Sequence, residues 1–275
     1  MGLIAASLIG ATGILPVSAE LPGLSEKEWL GHFVGFGNKR FQFGVTTQGK
    51  AAIRVTGKKG EPLNQRLAIA VDLLVEEILP DGKITVKQIM PETLESAQAA
   101  TDKPKNIVFH GKVKGDASFE VFINEDGGAI SLGGRLLDPG TLKKNPLRFS
   151  IRLKFPHAYP NEKANGDKKK AKAFEDKIKN DRLQLTWTDG KHVKQSTAGK
   201  VEAGAKEING PGIAAAQIEF RSYEDKQFEL VASAPSSMAL SNARTGPLHE
   251  GFFLTWTTDP AKDPEGKARI TIAVK

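Results

Sequence analysis

Carboxylates in strand-like segments are the first residues of this sequence that could do chemistry. Paired carboxylates carry out glycoside hydrolysis, in which one protonates the leaving oxygen and the other acts as base or nucleophile. In an alternating strand, however, an acidic residue between apolar neighbours points away from the core and toward solvent. The sequence therefore assigns no catalytic pair, and the catalytic residues stay unknown among six candidates: Asp72, Glu76, Glu77, Glu120, Glu219 and Glu229.

The histidines are too widely spaced to form a local metal site. No two of them lie within ten residues of each other, which leaves only a cluster assembled by folding as the alternative. The chain has no cysteine, so thiolate-bound zinc, iron–sulfur clusters, haem attachment and thiol catalysis are excluded. We therefore expect no metal and no cofactor. The histidines are His32, His110, His157, His192 and His249.

Other local catalytic motifs are absent as well. The sequence has no G-x-S-x-G element, no Asp-Thr-Gly or Asp-Ser-Gly loop, and no phosphate-binding glycine loop. The segment Ser236–Met238 is interpreted as a turn rather than the site of a nucleophile. The carboxylates of Asp259–Gly266 could bind calcium, but Lys262 and two prolines favour a plain hairpin loop, and the EF-hand spacing is absent.

Two tryptophans lie in the same motif, Leu-Thr-Trp-Thr, which recurs at 185–188 and 254–257. In each copy the leucine and the tryptophan share one face of a strand. The functional interpretation is an aromatic platform for a polymer such as a glycan, formed by Trp187 and Trp256. The structural interpretation is a pair of core tryptophans, and the leucine on the same face favours it.

The net charge of +7 is concentrated in residues 161–182, which contain eight basic and five acidic residues. Residues 168–180 are predicted to form a helix, because Ala171, Phe174 and Ile178 fall on one stripe. Nucleic-acid binding would require aromatic residues between the charges, and only Phe174 is present, so we expect no nucleic-acid partner. The segment is interpreted as a solvated connector whose first lysines would favour an anionic partner: Lys168, Lys169, Lys170 and Lys172.

Alternating apolar residues dominate the rest of the chain and predict an all-β fold. Residues 67–75 alternate, residues 80–83 are turn formers, and residues 84–89 alternate again, which predicts a β-hairpin. Residues 92–101 are predicted to be either a helix or a loop. Many short strands separated by glycine-rich turns are typical of sandwiches. Further strands are predicted at 40–46, 51–56, 107–113, 118–124, 147–155, 184–188, 214–221, 227–232, 252–257 and 268–274.

The second part of the chain repeats features of the first in the same order. Residues 40–46 match 182–188, and Phe119–Val121 matches Phe228–Leu230. We interpret this as an internal duplication, and the alternative is one irregular β domain whose strands look alike. The duplication predicts two tandem β-sandwich-like lobes joined by one short basic helix. Their bounds are 30–160 for half one, 161–180 for the basic helical connector and 181–275 for half two.

Residues 1–19 have the composition of a signal peptide. Residues 2–19 carry no charge, and Val17-Ser18-Ala19 places small residues where signal peptidase cleaves. We expect cleavage after Ala19, a secreted protein of the periplasm or cell surface, and no transmembrane span in the mature chain. No basic residue precedes the apolar run, which suggests a longer true N-terminus. A membrane anchor is the alternative, although the run is shorter than the ~20 residues of a span.

Three classes of function remain. The absence of local catalytic motifs favours a non-catalytic binding or structural protein of the cell envelope, whose partner is an anionic glycan or an envelope protein. The first alternative is a secreted glycosidase or protease whose site is assembled only by folding. The second is a carrier of lipid or another small ligand, which would need an apolar cavity between sheets. The sequence leaves the oligomeric state unknown.

Overall fold

The structure is a computed structural model that describes residues 21–160, 167–196, 208, 210–224, 226–241 and 247–275. The predicted signal peptide at 1–19 and the first part of the predicted connector, 161–166, lie outside the described residues. Within the described ranges the chain forms 17 β-strands, four short 3₁₀ segments and one α-helix. The prediction of an all-β fold with one helix of note is confirmed.

The strands all pair antiparallel, apart from isolated bridges such as Val34 with Thr101. Their bounds are β1 His32–Gly37, β2 Phe41–Thr46, β3 Ala51–Val55, β4 Ile69–Ile78, β5 Ile84–Lys87, β6 Ile89–Glu95, β7 Ile107–Val113, β8 Ser118–Asp126, β9 Ala129–Asp138, β10 Leu147–Phe155, β11 Arg182–Trp187, β12 His192–Ser196, β13 Gly210–Glu219, β14 Gln227–Ala232, β15 Ser237–Ser241, β16 Phe252–Thr257 and β17 Ile270–Val274. The helix, α1, is Lys168–Ile178.

The alternating pattern places one side of each strand in the core. On β10 the core side consists of Phe149, Ile151, Leu153 and Phe155, all at most 3% exposed. Aromatic rings fill much of this core, and Phe155 stacks on Phe252 with ring centroids 4.7 Å apart. The remaining side chains of β10 point to the opposite side of the sheet, as the two-residue period of a strand requires.

The strands of both chain halves form one continuous curled sheet. Strand β10 pairs along one edge with β4 and along the other with β16, and β9 pairs with β17. The sheet nearly closes on itself where Thr101 donates its N–H to Phe33 and accepts from the N–H of Gly35. Two separate lobes are therefore not confirmed, because main-chain hydrogen bonds cross the expected boundary in two places.

Two local predictions were wrong, one of them only in part. Residues 92–101 were expected to be a helix or a loop, and residues 96–100 are a loop, but β6 continues to Glu95 despite containing Pro91. Residues Ser236–Met238 were interpreted as a turn, but β15 begins at Ser237 and pairs with β13 and β16. Both strands are rich in residues of low strand propensity, so their pairing partners rather than their composition decide their conformation.

The internal duplication stays a prediction, although the matched segments share a turn. After β2, Thr46 and Lys50 bracket a tight turn, and after β11, Trp187 and Lys191 bracket a turn with the same hydrogen bonds. Gly49 and Gly190 occupy the left-handed position in the two turns, with φ of 76° and 81°. Only glycine adopts such angles without strain, which explains why both turns carry it.

The helix α1 begins as predicted and packs on a small polar cluster. Asp167 caps it, because its Oδ1 accepts from the backbone N–H groups of Lys169 and Lys170. Tyr159 contacts the ring of Phe174 in the helix and donates a 2.6 Å hydrogen bond to Asp181. Burial raises the pKa of Asp181 above its ordinary value, although hydrogen bonds from Arg221 and Tyr159 and the nearby His249 oppose that shift.

A single cooperative core predicts a single unfolding transition. We expect Leu153→Ala to lower the free energy of unfolding by about 2–5 kcal/mol, because Leu153 is fully buried between β4 and β16. The matched control Leu137→Ala, at a residue 45% exposed, should change it much less. Urea unfolding followed by tryptophan fluorescence and circular dichroism measures both. Two separated transitions, only one of which shifts in Leu153→Ala, would contradict this architecture.

Asp181 predicts a pH-dependent contribution to stability. Because its pKa is raised in the folded state, the folded protein holds this proton more tightly than the unfolded chain does. The stability of the wild type relative to Asp181→Asn should therefore be greatest at low pH and decline as pH rises through the raised pKa. Urea titrations across pH 4 to 7 test this, with the exposed Asp176→Asn as control. A difference that grows with pH would refute the sign.

Candidate functional site

The strands β4, β10 and β16 present a polar face on the side of the sheet opposite the core. Directly paired residues of neighbouring antiparallel strands point to the same face. Arg148 lies opposite Glu76, and Arg152 lies opposite Asp72 on one side and Thr255 on the other. The face thus collects polar and charged residues from three strands that are far apart in sequence, with Thr255 as the polar contribution of β16.

Two arginines on this face bind one buried carboxylate. Glu76 is 1% exposed, and its Oε2 accepts from Arg148 Nε at 2.8 Å while its Oε1 accepts from Arg152 Nη2 at 3.0 Å. Arg152 Nε also lies 3.4 Å from the Thr255 hydroxyl, and its guanidinium lies over the ring of Phe253, 5.7 Å from the centroid. We call these five residues the arginine cluster.

The part of the arginine cluster next to the sheet is buried, whereas its outer part is exposed to solvent. Ser150 lies between Arg148 and Arg152 on β10, is fully buried although it belongs to the polar face, and has no hydrogen-bond partner for its Oγ among the described residues. The two arginine side chains, in contrast, remain 28% and 27% exposed. Pairing with Glu76 holds them in place, and each arginine donates one N–H to that carboxylate, so most of the five N–H donors of each guanidinium stay available to a ligand.

The geometry of the cluster suits recognition of a planar anionic or polyhydroxylated group. A guanidinium offers five N–H donors in a fixed fork, which can bind a carboxylate through two parallel hydrogen bonds. This face carries four cations, among them Arg54 and Lys154, against the two carboxylates of Asp72 and Glu76, so its excess of positive charge favours an anion. The ring of Phe253 supplies apolar surface beside the donors.

The buried carboxylates of the described residues have both oxygens engaged. Besides Glu76, the carboxylate of Glu77 binds Asn145 and Lys87, and that of Glu120 binds Arg135 at 2.7 Å and His110 at 3.1 Å. The remaining two are Asp181, which binds Tyr159 and the N–H of Arg221, and Asp263, which binds backbone N–H groups of its own loop. None of these five carboxylates therefore has an oxygen without a hydrogen-bond or ion-pair partner, as a general acid or base facing a substrate would.

A second polar row crosses strands β6 to β9. Glu95, His110, Glu120 and Arg135 are successive partners in the strand register. The side chain of His110 is 40% exposed, whereas the Glu120 between it and Arg135 is 11% exposed. The row has the residue types of acid–base chemistry, but Glu120 is paired on both sides, so its charge holds the neighbouring strands together.

The residues predicted from sequence to bind a partner lie elsewhere. Trp256 is fully buried and donates its indole N–H to Ser236 at 2.8 Å, so it belongs to the core and cannot serve as a platform. Trp187 is partly buried and packs against the core. The lysines of the first turns of α1 are all exposed and lie outside the arginine cluster: Lys168, Lys169, Lys170 and Lys172.

The described residues hold no group of three or more histidine, aspartate or glutamate side chains arranged for a metal ion. Folding does bring His157 and His249 together, with ring centroids 6.1 Å apart. In the loop 259–266, whose carboxylates were candidate calcium ligands in the sequence, Asp263 accepts hydrogen bonds from the N–H groups of Lys267 and Ala268. In the described part of the chain, no helix has the length and apolar character needed to span a membrane.

Sequence reasoning named Glu76 among the acidic candidates but missed Arg148 and Arg152. Their spacing within one predicted strand, four residues apart, places them on one face and was visible in the sequence. What the sequence does not show is that this face lies against Glu76, because the 68 residues 79–146 separate β4 from β10 and the two strands pair only in the folded protein.

No protein-family model matches this sequence, and no curated protein matches it. The fold resembles part of the α-N-acetylgalactosaminidase NagBb from Bifidobacterium bifidum: in its Gal-NHAc-DNJ complex the TM-score is 0.52 at 9% identity, and in a quadruple mutant 0.50 at 9%. Each match covers 88% of this chain and 36% of that enzyme. A protein of Escherichia coli K12 assigned as an aldose 1-epimerase is matched over 98% of its length at 10% identity and a TM-score of 0.44. At such identities the NagBb match shows a shared β-rich fold.

Proposed function

We propose that this protein is a non-catalytic carbohydrate-binding protein whose arginine cluster binds an acidic sugar. The observation that carries the proposal is the pair of partly exposed guanidinium groups held in place by one buried carboxylate. Such a pair is organised before any ligand arrives, which lowers the entropic cost of binding. A sugar carboxylate would replace water on the outward donors, and ring hydroxyls would accept from the rest.

Two further features support a carbohydrate over other anions. The ring of Phe253 beside Arg152 offers apolar surface to the C–H groups of a sugar ring. The fold is shared with part of a glycosidase, although this chain spans only 36% of that enzyme, so neither its activity nor its substrate is transferred here. The proposal therefore concerns binding of a sugar and not a reaction upon it.

The engagement of the buried carboxylates supports a non-catalytic role. A glycosidase needs one carboxyl group that donates a proton and one that attacks or activates water, and each must face the substrate. Glu76 and Glu120, two of the acidic candidates on polar faces, each have both oxygens bonded to cationic or imidazole groups. A carrier of lipid is disfavoured for a different reason, since stacked aromatic rings occupy the core inside the curled sheet.

Replacing the guanidinium fork while keeping its charge tests the proposal. Arg152→Lys can still pair with Glu76 but offers no planar fork, so binding of a short uronic-acid oligosaccharide should weaken roughly 10- to 100-fold. The comparison is Arg182→Lys, an exposed arginine on β11, which should bind as the wild type does. Isothermal titration calorimetry at fixed ionic strength measures both dissociation constants.

Equal affinity of the two variants would refute a role for the arginine cluster, provided that both unfold at the same urea concentration as the wild type. Hydrolysis or epimerisation of the oligosaccharide, abolished by Glu120→Gln in a folded variant, would refute the non-catalytic proposal and favour an enzyme. Neutral oligosaccharides bound as tightly as acidic ones would show that the cluster recognises hydroxyl groups rather than a carboxylate.

The composition of residues 1–19 extends the proposal to location: the protein acts outside the cytoplasmic membrane, in the periplasm or at the cell surface. We expect the protein purified from its native host to begin at Glu20. N-terminal sequencing of that material decides the question. Recovery of intact residues 1–19 on a soluble cytoplasmic form would contradict the assignment.

A further inference from the structure

A broad groove lined by lysines lies beside strands β1 and β2. Its volume is about 950 Å³, and its walls include Trp29, Phe36 and the segment Thr56–Gly60. Five lysines come together here from four separate parts of the chain, and we call this the lysine groove: Lys39, Lys58, Lys59, Lys103 and Lys226.

The walls of the groove are anchored rather than loosely placed. Asn38 accepts from the N–H groups of Arg40 and Phe41 and donates to the carbonyl of Gly128, which joins the β1–β2 turn to the β8–β9 turn. The backbone N–H of Lys58 donates to Glu224 at 2.6 Å. The side chains of the lysines therefore project from fixed backbone.

The groove has an excess of positive charge. Its five lysines face three carboxylates, and two of these have a partner: Glu28 accepts from Gln42 at 2.8 Å, and Glu125 accepts from the N–H of Gly128 at 2.9 Å. Four of the lysines make no ion pair with the described residues: Lys39, Lys59, Lys103 and Lys226. Cations without local partners leave the groove attractive to an anionic polymer.

The lysine groove and the arginine cluster are connected across one face of the sheet. Gln42, which lines the groove, projects on the same side of β2 as Gly44. The register then runs from Gly44 to Ala52, Ala70 and Lys154, which flanks the arginine cluster. Adjacent strands lie about 4.8 Å apart, so the three steps from β2 to β10 cover roughly 15 Å. Ala52 and Ala70 are small, but the rings of His32 and Trp29 cover the outward side of Gly44, where an added Cβ would lie 2.7 Å from His32. A polymer that links the two sites therefore passes over these two rings.

We propose that the lysine groove is a second subsite, which binds the continuation of an acidic polysaccharide whose terminal or internal unit occupies the arginine cluster. The inference rests on the proposed function for the first subsite. Two linked contacts on one polymer raise the overall affinity, because binding at one site holds the chain near the other. The ligand class is a polyuronate or another polysaccharide with regularly spaced anionic groups.

The composition of the groove favours such a glycan over nucleic acid. Its carboxylates can accept hydrogen bonds from the hydroxyl groups that every unit of a polysaccharide carries. Single strands bind on exposed aromatic side chains that stack with bases. Trp29 in the groove is only 9% exposed, because it lies flat over Gly35, where an added Cβ would come within 2.3 Å of its ring.

A length-dependent binding experiment separates the two subsites. The groove variant is Lys39→Gln/Lys59→Gln/Lys103→Gln, and the matched control is Lys168→Gln/Lys169→Gln/Lys172→Gln on α1, which removes the same charge elsewhere. Both are compared with the wild type for a short uronic-acid oligosaccharide and for long polygalacturonate, at low and physiological salt. Neutral dextran and single-stranded DNA serve as comparison polymers.

We expect the groove variant to bind long polygalacturonate about tenfold more weakly, to keep its affinity for the short oligosaccharide, and to lose part of the salt dependence. The α1 variant should behave as the wild type.

If the short oligosaccharide binds but the groove variant keeps full affinity for the polymer, the groove proposal is overturned and the arginine cluster stands. If only the α1 variant loses affinity, the sequence-based lysine site is right and the groove is not. Tighter binding of DNA than of polygalacturonate overturns the choice of ligand, and failure of wild type to bind the short oligosaccharide refutes the first subsite itself.

Discussion

A carboxylate that is removed from water must be paired with a cation or with hydrogen-bond donors. Glu76 is such a carboxylate, and the groups that pair with it organise the polar face of the sheet. An unpaired buried carboxylate would cost several kcal/mol, so the two arginines that neutralise it are held on its two oxygens. The ion pairs join β4 and β10, and the hydrogen bond from Arg152 to the Thr255 hydroxyl extends the polar network to β16. These are the strands through which the early, middle and late parts of the chain form one sheet.

The same pairing connects architecture to function. Removing either arginine would leave one oxygen of the buried Glu76 without its partner, so the cluster cannot be altered without a structural cost. The proposed binding role is consistent with this pairing, because the carboxylate of Glu76 is already bound to two cations. The paired Glu120 on β8 follows the same rule, with His110 and Arg135 as its partners. In both the arginine cluster and the polar row on β6 to β9, ionised groups join neighbouring strands and form a polar surface.

The sequence predicted the strands and the helix that are determined by the local residue pattern. It missed the strands and contacts that are determined by pairing with a strand distant in sequence. Alternation located β7, β10, β14 and β16 at the bounds observed, and the stripe of Phe174 and Ile178 located α1. The segments β6 and β15 were missed because Pro91 and the Ser-Ala composition argue against strands, while their partners β7 and β16 impose one. The leucine on the same face favoured a core position for Trp256, which is fully buried. The arginine cluster could not be predicted, since it requires the register of β4 against β10.

The central claim is that the outward donors of the arginine cluster contact an acidic sugar. The most direct measurement is nuclear magnetic resonance of the arginine Nε–H groups during titration with a uronic-acid oligosaccharide, after assignment by single Arg→Lys variants. We expect the signals of Arg148 and Arg152 to shift together and to saturate at one ligand concentration, while that of Arg182 stays unchanged. Saturable shifts elsewhere in the protein, with the signals of Arg148 and Arg152 unmoved, would contradict it.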